Sequence, residues 1–194
     1  GGLGMLSKQR NVDFIQGTAT FIDDNTLSVE PVDGDTMEMK FQNAIIATGS
    51  HPTQVPGLSI DSPRVVDSTG ALEFTEVPGR LGVIGAGVIG LELGSVWGRL
   101  GADVVLLEAL DEFLPMMDAQ IAKEAGKIFK KQGLDVRLNC RVTDATVKDG
   151  KVEVRYDSPK GEHSETFDRL IVSVGRRPCT RDLLADDSGV TLDE

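Results

Sequence analysis

The sequence predicts an α/β chain, with a parallel sheet interleaved with helices and flanked by an antiparallel β-meander. Three observations carry this. The apolar run at residues 81–84 stops at Gly85-Ala86-Gly87-Val88-Ile89-Gly90 and passes into a helical stretch with few breakers. A second apolar run at 103–107 follows the Gly101-Ala102 stop and ends on Glu108. The first fifty residues alternate short β-prone runs with Asp-rich turns, which is hairpin chemistry. Strand, glycine turn, helix and second strand together make a βαβ unit, the core of a Rossmann-like domain.

The remaining elements follow in chain order. Residues 1–10 read as the tail of a helix. Strands are expected at 12–21, 26–30, 36–41 and 44–47, separated by Asp23-Asp24-Asn25 and Asp33-Gly34-Asp35 turns. Pro52, Pro56 and Pro63 mark 51–66 as a linker. Asp67-Ser68-Thr69 offers an N-cap to a short helix near 70–74, and Pro78-Gly79 closes it. A helix at 118–132 carries an apolar stripe of Ile121, Ala125, Ile128 and Phe129, with Asp118 as cap and Gly133 at C′. Residues 134–138 are a third parallel strand, 141–147 and 151–156 a hairpin, and 167–174 a buried closing strand. The predicted domains are a meander and linker at 1–66, a nucleotide-binding domain at 67–176, and a returning segment at 177–194.

Composition bounds the function. With 194 residues, 40% hydrophobic and 26% charged, the chain has the make-up of a globular protein. A net charge of −11 argues against nucleic acid and anionic membranes as partners, since both require a basic surface. Cys140 and Cys179 form no C-x-x-C and are expected as buried or half-buried thiols, which suits a cytoplasmic setting. His51 and His163 lie in loop-like sequence with no metal-ligand spacing, so they read as surface residues and no metal site is expected.

The glycine turn points to a nicotinamide dinucleotide. Gly85 permits the sharp turn, Gly87 lets the backbone approach a pyrophosphate, and Gly90 lets helix and strand pack closely. The helix N-terminus supplies unpaired N–H groups and a positive dipole end. Glu108, eighteen residues after Gly90, stands where a carboxylate accepts from the adenosine ribose hydroxyls. That acid would repel a 2′-phosphate by about 1–4 kcal/mol at ~4 Å. No arginine lies within five residues to offset it, so NAD is favoured over NADP. The alternative is a βαβ unit whose glycines serve packing alone.

Several further motifs fall in one order: Ala47-Thr48-Gly49-Ser50, Asp67-Ser-Thr-Gly-Ala-Leu72, the stretch from Val83 to Trp97, Leu107-Glu-Ala109 and Val174-Gly-Arg-Arg-Pro178. In this the chain resembles the two-dinucleotide-binding-domain flavoprotein disulfide reductases, and within them the NAD-using branch that oxidises dihydrolipoyl thiols. The resemblance implies pyrophosphate contacts by Gly85, Ala86, Gly87, Val88, Ile89 and Gly90 and ribose contact by Glu108. It also implies nicotinamide contacts by Glu92 and the Gly175 backbone, and Val142 near the adenine. Ala19, Thr48, Gly49 and Ser50 match FAD-lining positions, with FAD held by the complete enzyme.

The resemblance further implies a homodimer partner and a lipoyl-bearing E2 component of a 2-oxo acid dehydrogenase complex. The chain lacks the family's first glycine motif, its C-x-x-x-x-C redox pair, its second FAD acid and its His-x-x-x-x-Glu pair. It is therefore expected to be an internal stretch of such an enzyme, without catalytic residues and inactive alone. Apolar Phe14, Phe21 and Ile45 on the meander are expected to be exposed and to promote self-association. The alternatives are another branch of the family, such as mercuric reductases or soluble transhydrogenases, or a non-catalytic NAD-binding module.

Overall fold

The computed structural model describes residues 2–55, 57–58 and 62–193. Gly1, Pro56, residues 59–61 and Glu194 lie outside it, so the Pro56 part of the linker expectation has no counterpart here. The chain divides into two compact units, Gly1–Gly49 with Pro178–Glu194, and Ser50–Arg177. These boundaries fall at 49/50 and 177/178, where the sequence suggests 66/67 and 176/177. Among the described residues, no helix is long and apolar enough to cross a membrane.

The first unit holds α1 (Gly2–Gln9), which buries no residue, and a three-stranded antiparallel sheet. Its strands are β1 (Gly17–Phe21), β2 (Thr26–Pro31) and β3 (Met37–Lys40), in that spatial order. β1 starts later than the sequence suggests. β2 ends at Pro31 opposite Gly17 and the chain turns away at Asp33-Gly34, so residues 12–15 have no strand to join. Residues 44–47 form no strand either, because no described strand pairs with them, and Ile45 stays 94% exposed. Phe14 is exposed as expected, but Phe21 is buried. Its ring meets Phe41 edge-on at 5.6 Å, and its backbone N–H and C=O are both taken by the 183–185 segment.

The second unit is built on a five-stranded parallel sheet. Short β4 (Ser50–Pro52) precedes it, and β5 (Val65–Asp67) is its outer strand, so the linker contains two strands. A 3₁₀ turn at Gly70–Glu73 follows, with Asp67 Oδ1 accepting from the Thr69 and Gly70 amides. Then come β6 (Arg80–Ile84), α2 (Val88–Leu100), β7 (Asp103–Leu107), α3 (Ala119–Lys131) and β8 (Asp135–Arg137). An antiparallel sheet of β9 (Arg141–Lys148), β10 (Lys151–Ser158) and β11 (Gly161–Phe167) comes next, and β12 (Arg169–Val172) returns to the parallel sheet. β13 (Arg176–Pro178) pairs with β4. The parallel order is β5-β12-β6-β7-β8.

The apolar runs are continuous because both faces of this sheet are covered. Leu81, Val83, Val104, Leu106 and Ile171 pack toward Leu91, Leu93 and Trp97 of α2. Their strand neighbours Ile84, Val105, Leu107, Leu170 and Val172 pack toward Val152, Val154, Tyr156 and Phe167 of the antiparallel sheet. Each such side chain contributes about 1.5–3 kcal/mol when fully buried.

Three expectations need correction. The 167–174 strand is two elements, since Phe167 ends β11 and β12 starts at Arg169. The 161–164 loop is the start of β11, and His163 stacks on Tyr156 at 5.1 Å rather than lying in a surface loop. β11 is an edge strand and mostly polar, which hides it from pattern reading. The stripe of α3 is also displaced: its one buried residue is Ala122, while Ile121 and Ile128 are 57% and 55% exposed. Asp118 does cap α3, accepting from the Gln120 and Ile121 amides. A cavity of about 670 Å³ lies between α3 and β8, walled by Phe113, Ala119, Gly126 and Leu134 among others.

A charged cluster ties the antiparallel sheet to the parallel one. Glu165 on β11 accepts from Arg137 of β8, from the Tyr156 hydroxyl at 2.9 Å and from Arg80 of β6 at 2.5 Å. Burial opposes ionisation of Glu165, but Arg137, Tyr156 and Arg80 outweigh it and hold the carboxyl below its ordinary value. A carboxyl depressed on folding stabilises the fold above its unfolded pKa, about 4.3, and loses that contribution as pH falls through the folded value. Glu165→Gln is therefore expected to cost about 1–3 kcal/mol at pH 7. In urea melts, the gap to the parent chain should narrow steadily below pH 4; a gap constant with pH would contradict this.

Candidate dinucleotide-binding site

The site is assembled where β6 and β7 end and α2 begins. Gly85 N donates to the Leu107 carbonyl at 2.8 Å, tying the turn to the adjacent strand. Gly85 then takes φ +94°, which side chains disfavour, and a Cβ there would stand 2.6 Å from the Ser173 carbonyl oxygen. Gly87 is the N-cap of α2, with no side-chain cap and no acidic residue in the first turn. The first-turn amides of Val88, Ile89 and Gly90 have no intrahelical acceptor, the arrangement that receives an anion.

The other two glycines differ in what surrounds them. Gly87 is exposed, and a Cβ on it would meet nothing within 4 Å. A Cβ on Gly90 would stand 2.1 Å from the Gly85 carbonyl oxygen and 2.7 Å from Ser173 Oγ. Gly87 thus leaves space open above the turn, while Gly90 lets helix and turn touch.

Glu108 follows β7 and lies beside this turn. Its Oε2 accepts from Ala86 N at 2.7 Å, and its Oε1 accepts from Leu110 N at 3.0 Å. The carboxylate is thereby fixed in orientation, and each oxygen keeps a further lone pair for a hydroxyl donor. Because the Ala86 amide is committed to Glu108, the amides left for an anion are those of the α2 first turn.

The other candidate residues are more dispersed. Glu92 is exposed on α2. Val142 on β9 sits opposite Tyr156 and packs partly buried against the core cluster that contains Leu107 and Cys140. Gly175, at φ +115°, accepts at its carbonyl from Thr53 N at 3.0 Å. Ala19 and Gly49 are in the first unit; Ala19 sits in β1 opposite Val29, and Gly49 accepts from Cys179 N. Thr48, also there, is exposed. In the second unit, the Ser50 hydroxyl and carbonyl accept from Arg176 at 2.8 and 2.6 Å. Cys140 is buried and Cys179 half-buried, both as thiols.

Two residues of this region have structural roles that sequence reading does not assign. Arg176 grips Ser50 and reaches Ser68 Oγ at 3.4 Å, next to Gly175. Ser173 donates from Oγ to the Ile84 and Gly85 carbonyls at 2.9 and 3.2 Å. Its only signal in sequence is a small polar residue interrupting the apolar run Leu170-Ile-Val-Ser-Val174.

Residues 2–194 match the family model for pyridine nucleotide-disulphide oxidoreductases. The chain is 42% identical over 196 residues to mitochondrial dihydrolipoyl dehydrogenase of Schizosaccharomyces pombe, covering 100% of this chain and 38% of that protein. It is 43% identical over 197 residues to the human mitochondrial dihydrolipoyl dehydrogenase, covering 100% of this chain and 39% of that protein. The chain therefore spans about two fifths of the length of these relatives. Among solved structures, the HOCl-induced flavoprotein disulfide reductase RclA from Escherichia coli superposes with TM-score 0.79 at 33% identity. That superposition covers 99% of this chain and 42% of RclA. LpdA from Mycobacterium tuberculosis shares the fold at TM-score 0.84 and 24% identity, over 100% of this chain and 43% of its own. A match over residues 2–194, with identities of 42–43% along the whole chain, means that the chain belongs to the pyridine nucleotide-disulphide oxidoreductase family.

Proposed function

We propose that this chain is the NAD(H)-binding segment of a dihydrolipoyl dehydrogenase. The observation that carries this is the pairing of an uncapped α2 N-terminus, open above Gly87, with a Glu108 carboxylate locked 2.7 Å from the Ala86 amide. The 42–43% identity to dihydrolipoyl dehydrogenases supports the branch. NAD supplies a nicotinamide C4 that accepts or returns a hydride. The chain's residues bind and orient it. The amides of Val88, Ile89 and Gly90 hold the pyrophosphate, and the two Glu108 oxygens accept from the adenosine ribose hydroxyls. Gly175 offers a backbone without a side chain toward the nicotinamide, braced by Thr53, and exposed Glu92 is available to its carboxamide. Val142 bounds the adenine end.

The thiol–disulfide step needs a redox pair, and the chain's two cysteines, Cys140 and Cys179, are not one. In this reading FAD, with Ala19, Thr48, Gly49 and Ser50 along it, a dimer partner and a lipoyl-bearing E2 component belong to the complete enzyme, and the isolated chain binds NADH without oxidising dihydrolipoamide. A second reading, a reductase of another branch, is favoured by the 33% identity to RclA, a weaker likeness than that to the dihydrolipoyl dehydrogenases.

Fluorescence titration of the chain with NADH and NADPH tests the proposal. Saturable binding with NADH preferred is expected, and no binding to either would overturn it. Gly87→Val should still fold, since open space awaits the side chain, losing only about 1 kcal/mol to the poorer N-cap, yet weaken NADH by ~10-fold or more by blocking the pyrophosphate. Glu108→Gln keeps an acceptor for Ala86 N but removes the charge, so it should narrow the NADH/NADPH ratio. Glu108→Arg should invert it, with a total swing of roughly 5- to 700-fold, from about 1–4 kcal/mol. An unchanged ratio in both variants would place Glu108 away from the ribose.

A further inference from the structure

We propose that Ser173 is the positioning residue of the glycine turn, a role that no motif of the sequence gives it. Four observations converge on this residue, 88 positions from the turn. Its backbone N–H donates to the Ile84 carbonyl at 2.8 Å. Its single hydroxyl proton is shared between the Ile84 and Gly85 carbonyls, at 2.9 and 3.2 Å. Its carbonyl oxygen occupies the space a Gly85 side chain would need, 2.6 Å from that Cβ position. Its Oγ fills the notch left by Gly90, 2.7 Å from the Cβ position there. The end of β12 thus holds the last residue of β6, the first glycine of the turn and the first turn of α2 from one side.

The physical consequence concerns orientation. The Gly85 carbonyl faces Gly90 across the turn, and its direction fixes the peptide planes that lead into the α2 amides. Without a donor on it, the carbonyl of buried Gly85 has only solvent or the helix to meet, and the turn gains freedom it now lacks. The amides that receive an anion are useful only when they converge, so Ser173 acts on a dinucleotide without touching it. Size matters as much as hydrogen bonding: the Oγ fits because residue 90 carries no side chain, so Ser173 and Gly90 form one steric pair.

This inference rests on reading the turn as the pyrophosphate seat. Ser173→Ala in the 194-residue chain is expected to weaken NADH about five-fold, while adenosine, which has no phosphate, changes by less than ~2-fold. Amide hydrogen exchange across residues 85–90 should quicken in the free protein, with exchange in β9–β11 unaltered. The near-isosteric variants Ser173→Thr and Ser173→Val share a shape and differ in the hydroxyl, so Thr should restore NADH affinity relative to Val. A role confined to overall stability would instead lower the melting temperature and weaken NADH and adenosine alike. Equal NADH affinity and equal turn exchange in parent and Ala variant would overturn the proposal, as would Thr and Val behaving alike if the Ala variant does not fold. If the parent chain bound no NADH, the functional reading would fail, and the exchange comparison alone would decide the role of Ser173.

Discussion

The rest of the second unit depends on the close approach of α2 to the turn that precedes it. A helix normally stands off its neighbours by the width of its side chains, about 8–10 Å between axes for packed helices. Here the backbone of Gly90 meets the Gly85 carbonyl directly, with no room for a single methyl group. That contact aims the helix N-terminus along the ends of β6 and β7. The same proximity lets Glu108, just past the end of the next strand, reach the Ala86 amide. Loosening the contact would move the helix, the amides and the acid relative to one another together.

The sheet beneath is rigid for a different reason. The central strands β12, β6 and β7 bury apolar side chains on both sides, so α2 and the antiparallel sheet compete for nothing and each buries its own set of side chains. The antiparallel sheet is fastened by charge as well. Glu165 collects Arg80, Arg137 and Tyr156, contributed by three different strands. Without Glu165, Arg80 and Arg137 would keep Asp103 and Asp135 as carboxylate partners, which lie on their own side of the cluster, and this ionic tie between the two sheets would be lost.

The α/β class and the βαβ unit were legible because their signals are local: buried runs, a glycine spacing, and an acid at the expected distance. Asp118 as a cap and Gly133 after α3 were legible for the same reason. What stayed hidden depends on contacts distant in sequence. The edge strand β11 carries polar residues on nearly every position, so nothing distinguishes it from a loop until β10 is beside it. β5, three residues long among prolines, exists because β12 pairs with it. Residues 44–47 have strand composition yet no described partner, and remain unpaired. Of the turn itself, the three glycines and Glu108 stand out in the sequence, whereas Ser173 becomes visible only when β12 lies against β6.

Helix α3 differs in kind from α2. Its one buried side chain is Ala122, its larger aliphatic residues face outward, and a cavity of about 670 Å³ separates part of it from β8. Its burial rests on Ala122 and on Phe129, which packs partly buried against the α2-side core, and its helical structure also leans on its Asp118 cap and C-terminal lysines. The free energy of opening of a segment follows the contacts it would lose. Of the two helices, α3 therefore has less burial to lose on opening, and the strand–turn–helix framework has more.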